Sequence, residues 1–150
     1  MQYSYMAKRV SGWIGEDDHY WQALEEGRFE VPRCAGCDRW TWPAHWRCGD
    51  FGSWDFEWVP VEPVGTVYSW TRTYLSFDRI RERAATVPYV IVLCELPGAG
   101  DRRVLGVLKG SEDGLRIGAH VHGVIDPPAA ESKGYATIRW VLDDSSTSPT

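Results

Sequence analysis

Between Gly65 and Leu142 five short apolar segments follow one another, separated by residues that turn the chain. Gly65–Tyr74 alternates in polarity and is rich in β-branched and aromatic residues, the composition of a half-buried strand. Tyr89–Leu96, opened by Pro88, is a nearly continuous apolar run, which predicts burial on both faces. Val104–Leu108, His120–Ile125 and Tyr135–Leu142 complete the set, with turn residues over Pro97–Arg102 and Gly114–Gly118. The long first connection, Leu75–Val87, is charged and has room for one helical turn at Asp78–Arg83. Five short strands with this spacing predict a mainly β fold, a five-stranded Greek-key barrel of the OB type. Closure removes sheet edges, which suits a chain without covering helices. An open five-stranded meander with one helix on its face is the other arrangement the pattern allows.

Upstream, Asp17 or Asp18 caps a short helix that runs through His19–Glu26 and stops at Gly27. Tyr20, Trp21 and Leu24 share one side of it. A helix of this length is unstable alone, so it must dock on the rest of the chain or on a partner. The sequence therefore divides into a loose arm and helix over 1–27, a Cys-, Trp- and Pro-rich segment over 28–63, the barrel over 64–142 and a polar, disordered tail over 143–150. Within the second part, residues 28–47 carry a slight cationic excess, whereas 48–63 hold Asp50, Asp55, Glu57 and Glu62 and no cation.

Cys34-Ala-Gly-Cys37 is a metal-binding knuckle by spacing, and Cys48-Gly-Asp-Phe51 stands where a zinc ribbon places its second. Three thiols are in register and Phe51 takes the place of the fourth. Two readings follow. Either zinc is held by Cys34, Cys37 and Cys48, with Asp50 or His45 as the fourth ligand (or Cys94, if the second strand passes close), or the ribbon is degenerate. In the second reading Trp40, Trp42, Trp46, Phe51 and Trp54 form an apolar cluster in place of the ion. A redox CxxC is disfavoured because no βαβ context accompanies it. Cys94, inside the apolar run, reads as an inert buried thiol.

Other chemistry is discounted. A net charge of −5 with only three Lys argues against a general nucleic-acid binder. No apolar run approaches the 18 to 20 or so residues of a membrane span, and the first residues lack a signal-peptide core, so a cytoplasmic protein is expected. His120 and His122 share a strand face without a matching third ligand. No nucleophile elbow, P-loop or dinucleotide fingerprint occurs, and no catalytic residue is assigned. Six of nine Trp fall between Trp40 and Trp70, and Arg far outnumbers Lys, a bias typical of binding surfaces.

The order of these features carries a resemblance: the helix ending at Gly27, Cys34-x-x-Cys37, Trp42-Pro43, Cys48, the Gly65-Thr-Val-Tyr-Ser strand start, Pro88-Tyr89 and Leu115-x-Ile117-Gly118. Over about residues 16–142 the chain resembles the zinc-ribbon plus OB-fold proteins associated with acyl-CoA enzymes, long catalogued as a domain of unknown function. The resemblance implies a rubredoxin-like ribbon before the barrel, and an accessory, non-catalytic role. The implied partner is a thiolase-superfamily enzyme (thiolase, acyltransferase or the retro-aldolases that shorten steroid side chains), which holds the catalytic residues. Acyl-CoA would be the substrate of the complex. On that view Arg33, Arg39 and Arg47 are positioned to meet CoA phosphates, and Trp42 or Trp46 an adenine or acyl chain; surface ion pairing with Asp50 and Asp55 is the competing role for these arginines. A nucleic-acid-binding OB module and a free-standing acyl-CoA or lipid carrier are the alternative functions.

Overall fold

The computed structural model describes residues 15–144; the expected loose arm and most of the expected disordered tail lie outside them. The first helix of the described residues is α1 (Asp18–Glu25). Its N-cap, Asp17, makes no side-chain cap bond; its carboxylate instead accepts the Trp21 indole N–H at 2.9 Å. Gly27 ends the helix at φ +77°, a left-handed conformation that glycine adopts without steric cost. Tyr20, Ala23 and Leu24 are buried. Tyr20 meets Phe29 and Trp42, Trp21 packs on Tyr135, and the helix thereby ties the ribbon to the barrel.

The ribbon is a two-stranded antiparallel sheet, β1 (Glu30–Cys34) and β2 (Phe56–Pro60), in register from Glu30 opposite Pro60 to Cys34 opposite Phe56. The barrel has five strands: β3 (Val64–Thr73), β4 (Tyr89–Leu96), β5 (Arg102–Leu108), β6 (His120–Asp126) and β7 (Thr137–Leu142). Their order is β3-β4-β5-β7-β6, closed by β3 pairing with β6. All pairings are antiparallel except β5 with β7, whose parallel contact joins Val107 to Arg139 and Leu108 to Trp140. This is the closed Greek-key barrel; the open meander is excluded. The charged β3–β4 connection holds a 3₁₀-helix over Asp78–Ala85, longer than the single turn expected.

Val67, Val90, Val92, Cys94, Leu96, Val104, Val121, Ile138 and Trp140 fill the barrel. Trp140 is fully buried, and its indole N–H donates to the Val104 carbonyl at 3.3 Å, which removes the cost of burying a polar group. Gly106 makes room for it: a Cβ there would lie 2.8 Å from the Trp140 ring and from the Ile138 carbonyl. The apolar run of β4 does not bury both faces. Val90, Val92, Cys94 and Leu96 are buried, whereas Ile91, Leu93 and Glu95 are partly exposed, because the closed barrel covers only its inner side.

Ribbon and barrel meet at Trp40, whose ring lies against Gly100 in the β4–β5 turn, and at Val61, whose side chain faces Gly98 in the same turn. Among the described residues no helix is long and apolar enough to cross a membrane.

Candidate metal centre and interaction surface

Two turns with the same hydrogen-bond plan face one another in the ribbon. In the first, the Cys34 N–H donates to the Arg39 carbonyl (2.9 Å) and the Asp38 N–H to the Cys34 carbonyl (2.9 Å), with Asp38 at φ +59°. In the second, the Cys48 N–H donates to the Ser53 carbonyl (2.8 Å) and the Gly52 N–H to the Cys48 carbonyl (2.9 Å), with Gly52 at φ +75°. Residue for residue, Phe51 is the counterpart of Cys37. The second turn has kept the backbone of a metal-binding knuckle and exchanged one ligand for a phenyl ring.

The sulfurs of Cys34, Cys37 and Cys48 all lie within 4.8 Å of one another, and those of Cys37 and Cys48 are 3.7 Å apart. Tetrahedral zinc, with bonds of about 2.3 Å to sulfur, separates its thiolates by about 3.8 Å, so the three side chains already stand at ligand spacing. Backbone N–H groups are aimed at them. The Phe51 N–H donates to the Cys48 sulfur at 3.4 Å and, as the largest influence, lowers that thiol's pKa. At Cys37 the Arg39 N–H acts in the same sense, but burial and the neighbouring sulfurs of Cys34 and Cys48 outweigh it and raise the pKa. Three close thiols repel one another as anions, a cost that a divalent cation removes. The residues present therefore fit zinc, which when bound would crosslink the two turns.

The degenerate-ribbon reading requires a buried aromatic cluster, and the structure does not show one. Trp46, Phe51 and Trp54 are 51%, 62% and 68% exposed. Trp40 and Trp42 do turn inward, Trp42 against Tyr20 with ring centroids 4.4 Å apart. Neither His45 nor Asp50 brings a ligand atom into the three-sulfur cluster, and Asp50 is instead engaged by Arg39. Cys94 lies apart in the barrel, and burial pushes its thiol up to about 12.

The arginines assigned to an acyl-CoA contact are distributed around the ribbon. Arg33 pairs with Glu57 at 3.2 Å and lies over the Trp40 ring; Arg39 pairs with Asp50. Arg47 donates to the Gly52 carbonyl at 2.9 Å and lies over Trp54. All three have an intramolecular partner, and Trp42 packs on the helix.

The exposed apolar residues are more telling. Besides Trp46, Phe51 and Trp54, the barrel exposes Tyr68, Trp70 and Leu105, and the start of the β3–β4 connection exposes Tyr74, Leu75 and Phe77. By sequence Tyr74 belongs to the first strand, and Leu75 and Phe77 are masked by a connection that is charged overall. The signal was present, since three of the four residues from Tyr74 to Phe77 are large and apolar at the head of a loop. A cleft of about 280 Å³ lies beside this connection, between Arg83, Tyr89, Glu112, Glu131 and Arg139.

Comparison with known proteins agrees with this architecture. Residues 21–53 match the family described as ChsH2, rubredoxin-like zinc ribbon domain, and residues 58–126 that described as ChsH2, C-terminal OB-fold domain. The chain belongs to the ChsH2 family. A curated relative, named "Probable enoyl-CoA hydratase alpha subunit" of Thermomonospora curvata, is 31% identical over 109 residues, which is 72% of this chain. The matched stretch spans a third of that relative's length. Among solved structures, the "Ltp2-ChsH2(DUF35) aldolase" matches with a TM-score of 0.72 and 24% identity, over 89% of this chain and 98% of the other. A DUF35-family protein of unknown function from Sulfolobus solfataricus matches with a TM-score of 0.58 and 18% identity, over 92% of each chain. These two likenesses speak to the fold.

Proposed function

We propose that this ChsH2-family chain is a non-catalytic accessory subunit of an acyl-CoA enzyme, working in the cytoplasm and completing a larger partner instead of turning over substrate itself. The observation that carries the reading is the exposure of large aromatic side chains on both parts of the molecule: Trp46, Phe51 and Trp54 on the ribbon, and Trp70, Tyr74 and Phe77 on and beside the barrel. Aromatic side chains held in water cost free energy that an interface recovers, and Trp, Tyr and Arg are the residues that dominate such interfaces. The comparisons support the reading, since the curated relative is named a probable enoyl-CoA hydratase alpha subunit and a solved structure of the same fold is named Ltp2-ChsH2(DUF35) aldolase.

The finer proposal is a thiolase-fold partner acting as a retro-aldolase, thiolase or acyltransferase, with an acyl-CoA ester as substrate; a steroid side chain is the acyl group that the exposed aromatics suit. The carrier alternative has less support. The cleft beside the barrel is lined by Arg83, Glu112, Glu131 and Arg139, charges that disfavour an acyl chain. A nucleic-acid role is disfavoured by the net charge of −5.

The test is a pull-down of the tagged chain from its native host, with mass spectrometry of what accompanies it. A thiolase-like protein in near-equal amount is the expected result. A chain that comes down alone and binds a CoA ester by calorimetry reinstates the carrier.

A further inference from the structure

We propose that the ribbon holds a divalent metal ion on three thiolates, Cys34, Cys37 and Cys48, and that its fourth coordination position is exchangeable, open to a small thiol or imidazole beside the Phe51 ring. Four observations carry this. The second turn keeps the knuckle hydrogen bonds and the left-handed residue of the first, although Phe51 supplies no ligand. The three sulfurs stand at ligand spacing. Neither His45 nor Asp50 joins them, and Arg39 engages Asp50 elsewhere. Finally, the Phe51 ring does not fill a core; it is 62% exposed and rests on Gly36 at the apex of the facing turn, where any Cβ would collide with it.

A ribbon with four thiolates is coordinatively closed and structural, whereas three protein ligands leave a position for solvent or substrate. Soft donors suit an ion already bound by thiolates. An incoming thiol would bind as thiolate, losing its proton to solvent and displacing the bound water; no electron transfer is involved. Phe51 is on this view a positioning residue that keeps the fourth position free of protein ligands and gives the visiting ligand an apolar wall. The inference is independent of the proposed partner, because it concerns the lone chain.

The experiment loads the full chain with cobalt(II), alone and with added imidazole or 2-mercaptoethanol, beside the Phe51→Cys variant. Tryptophan emission and circular dichroism establish that both chains are folded. Expected for the wild type is one cobalt per chain, a thiolate-to-cobalt band of three-sulfur intensity, and a ligand-field spectrum that changes on adding either small ligand. Phe51→Cys should strengthen that band by about a third, bind cobalt about tenfold or more tighter, and be indifferent to the additions. Wild type that takes up no cobalt, whether or not Phe51→Cys does, would overturn the proposal. So would a wild-type spectrum that ignores both added ligands, since a fourth protein ligand would then be in place.

Discussion

The barrel and the ribbon keep their structure by different means. In the barrel, five strands close around Val67, Val92, Cys94, Leu96, Val104, Val121 and Trp140, nearly all of them inaccessible to solvent. In the ribbon Phe29, Ala44, Cys48 and the residues of β1 other than Arg33 reach comparable burial, and its large side chains Trp46, Phe51 and Trp54 lie at the surface. A two-stranded sheet is marginal by itself, so the ribbon depends on its docking to α1 and Gly100, to which a metal ion bound as proposed would add a crosslink between its turns. Burial carries the one region and paired turns the other, which separates a self-sufficient platform from an element suited to exchange.

The contrast is broken most directly in the barrel. Trp140→Ala removes the largest fully buried side chain and leaves the Val104 carbonyl without its donor; a loss of about 3–5 kcal/mol in chemical denaturation is expected. A loss below about 1 kcal/mol would mean that the barrel core collapses far more readily than its packing implies.

Alkaline pH sharpens the comparison at intermediate size. Burial raises the Cys94 thiol to about 12 in the folded chain, from the value near 9 of an exposed thiol. The folded state therefore holds a proton that the unfolded chain has lost, and stability falls as pH rises between these two values, by up to about 1.4 kcal/mol per pH unit. Burial also raises Tyr20, which extends the loss in the same direction. Cys94→Ala should flatten the slope of denaturation midpoint against pH. An unchanged slope would place its origin elsewhere.

The smallest effect is expected at the ribbon surface. Arg39→Ala removes an ion pair with Asp50 between two half-exposed side chains, and should change global stability by less than about 1 kcal/mol. A larger loss would reveal that Asp50 needs its partner to stay clear of the sulfur cluster. Metal content measured on the same variant tells the two apart.

Much of this architecture was legible in the chain. The helix ending at Gly27 and the five barrel strands appear within two residues of their expected bounds, because strand alternation and glycine turns act locally. The Cys34-x-x-Cys37 turn was legible for the same reason. What Phe51 does was not, since the backbone bonds that make residues 48–53 a knuckle depend on a fold already formed.

By itself, then, the sequence determined where the chain extends, where it turns and which three thiols are in register. Those properties reside in short stretches, in the side-chain period and in glycine's tolerance of positive φ. Only the tertiary structure decided that β7 lies between β5 and β6, parallel to β5, and that β4 buries one face and not both. It also decided that Arg39 engages Asp50, that Trp42 turns toward α1, and that Trp46, Phe51 and Trp54 face outward. Each of these depends on which distant surfaces meet, and the free energy of such a contact belongs to both surfaces at once.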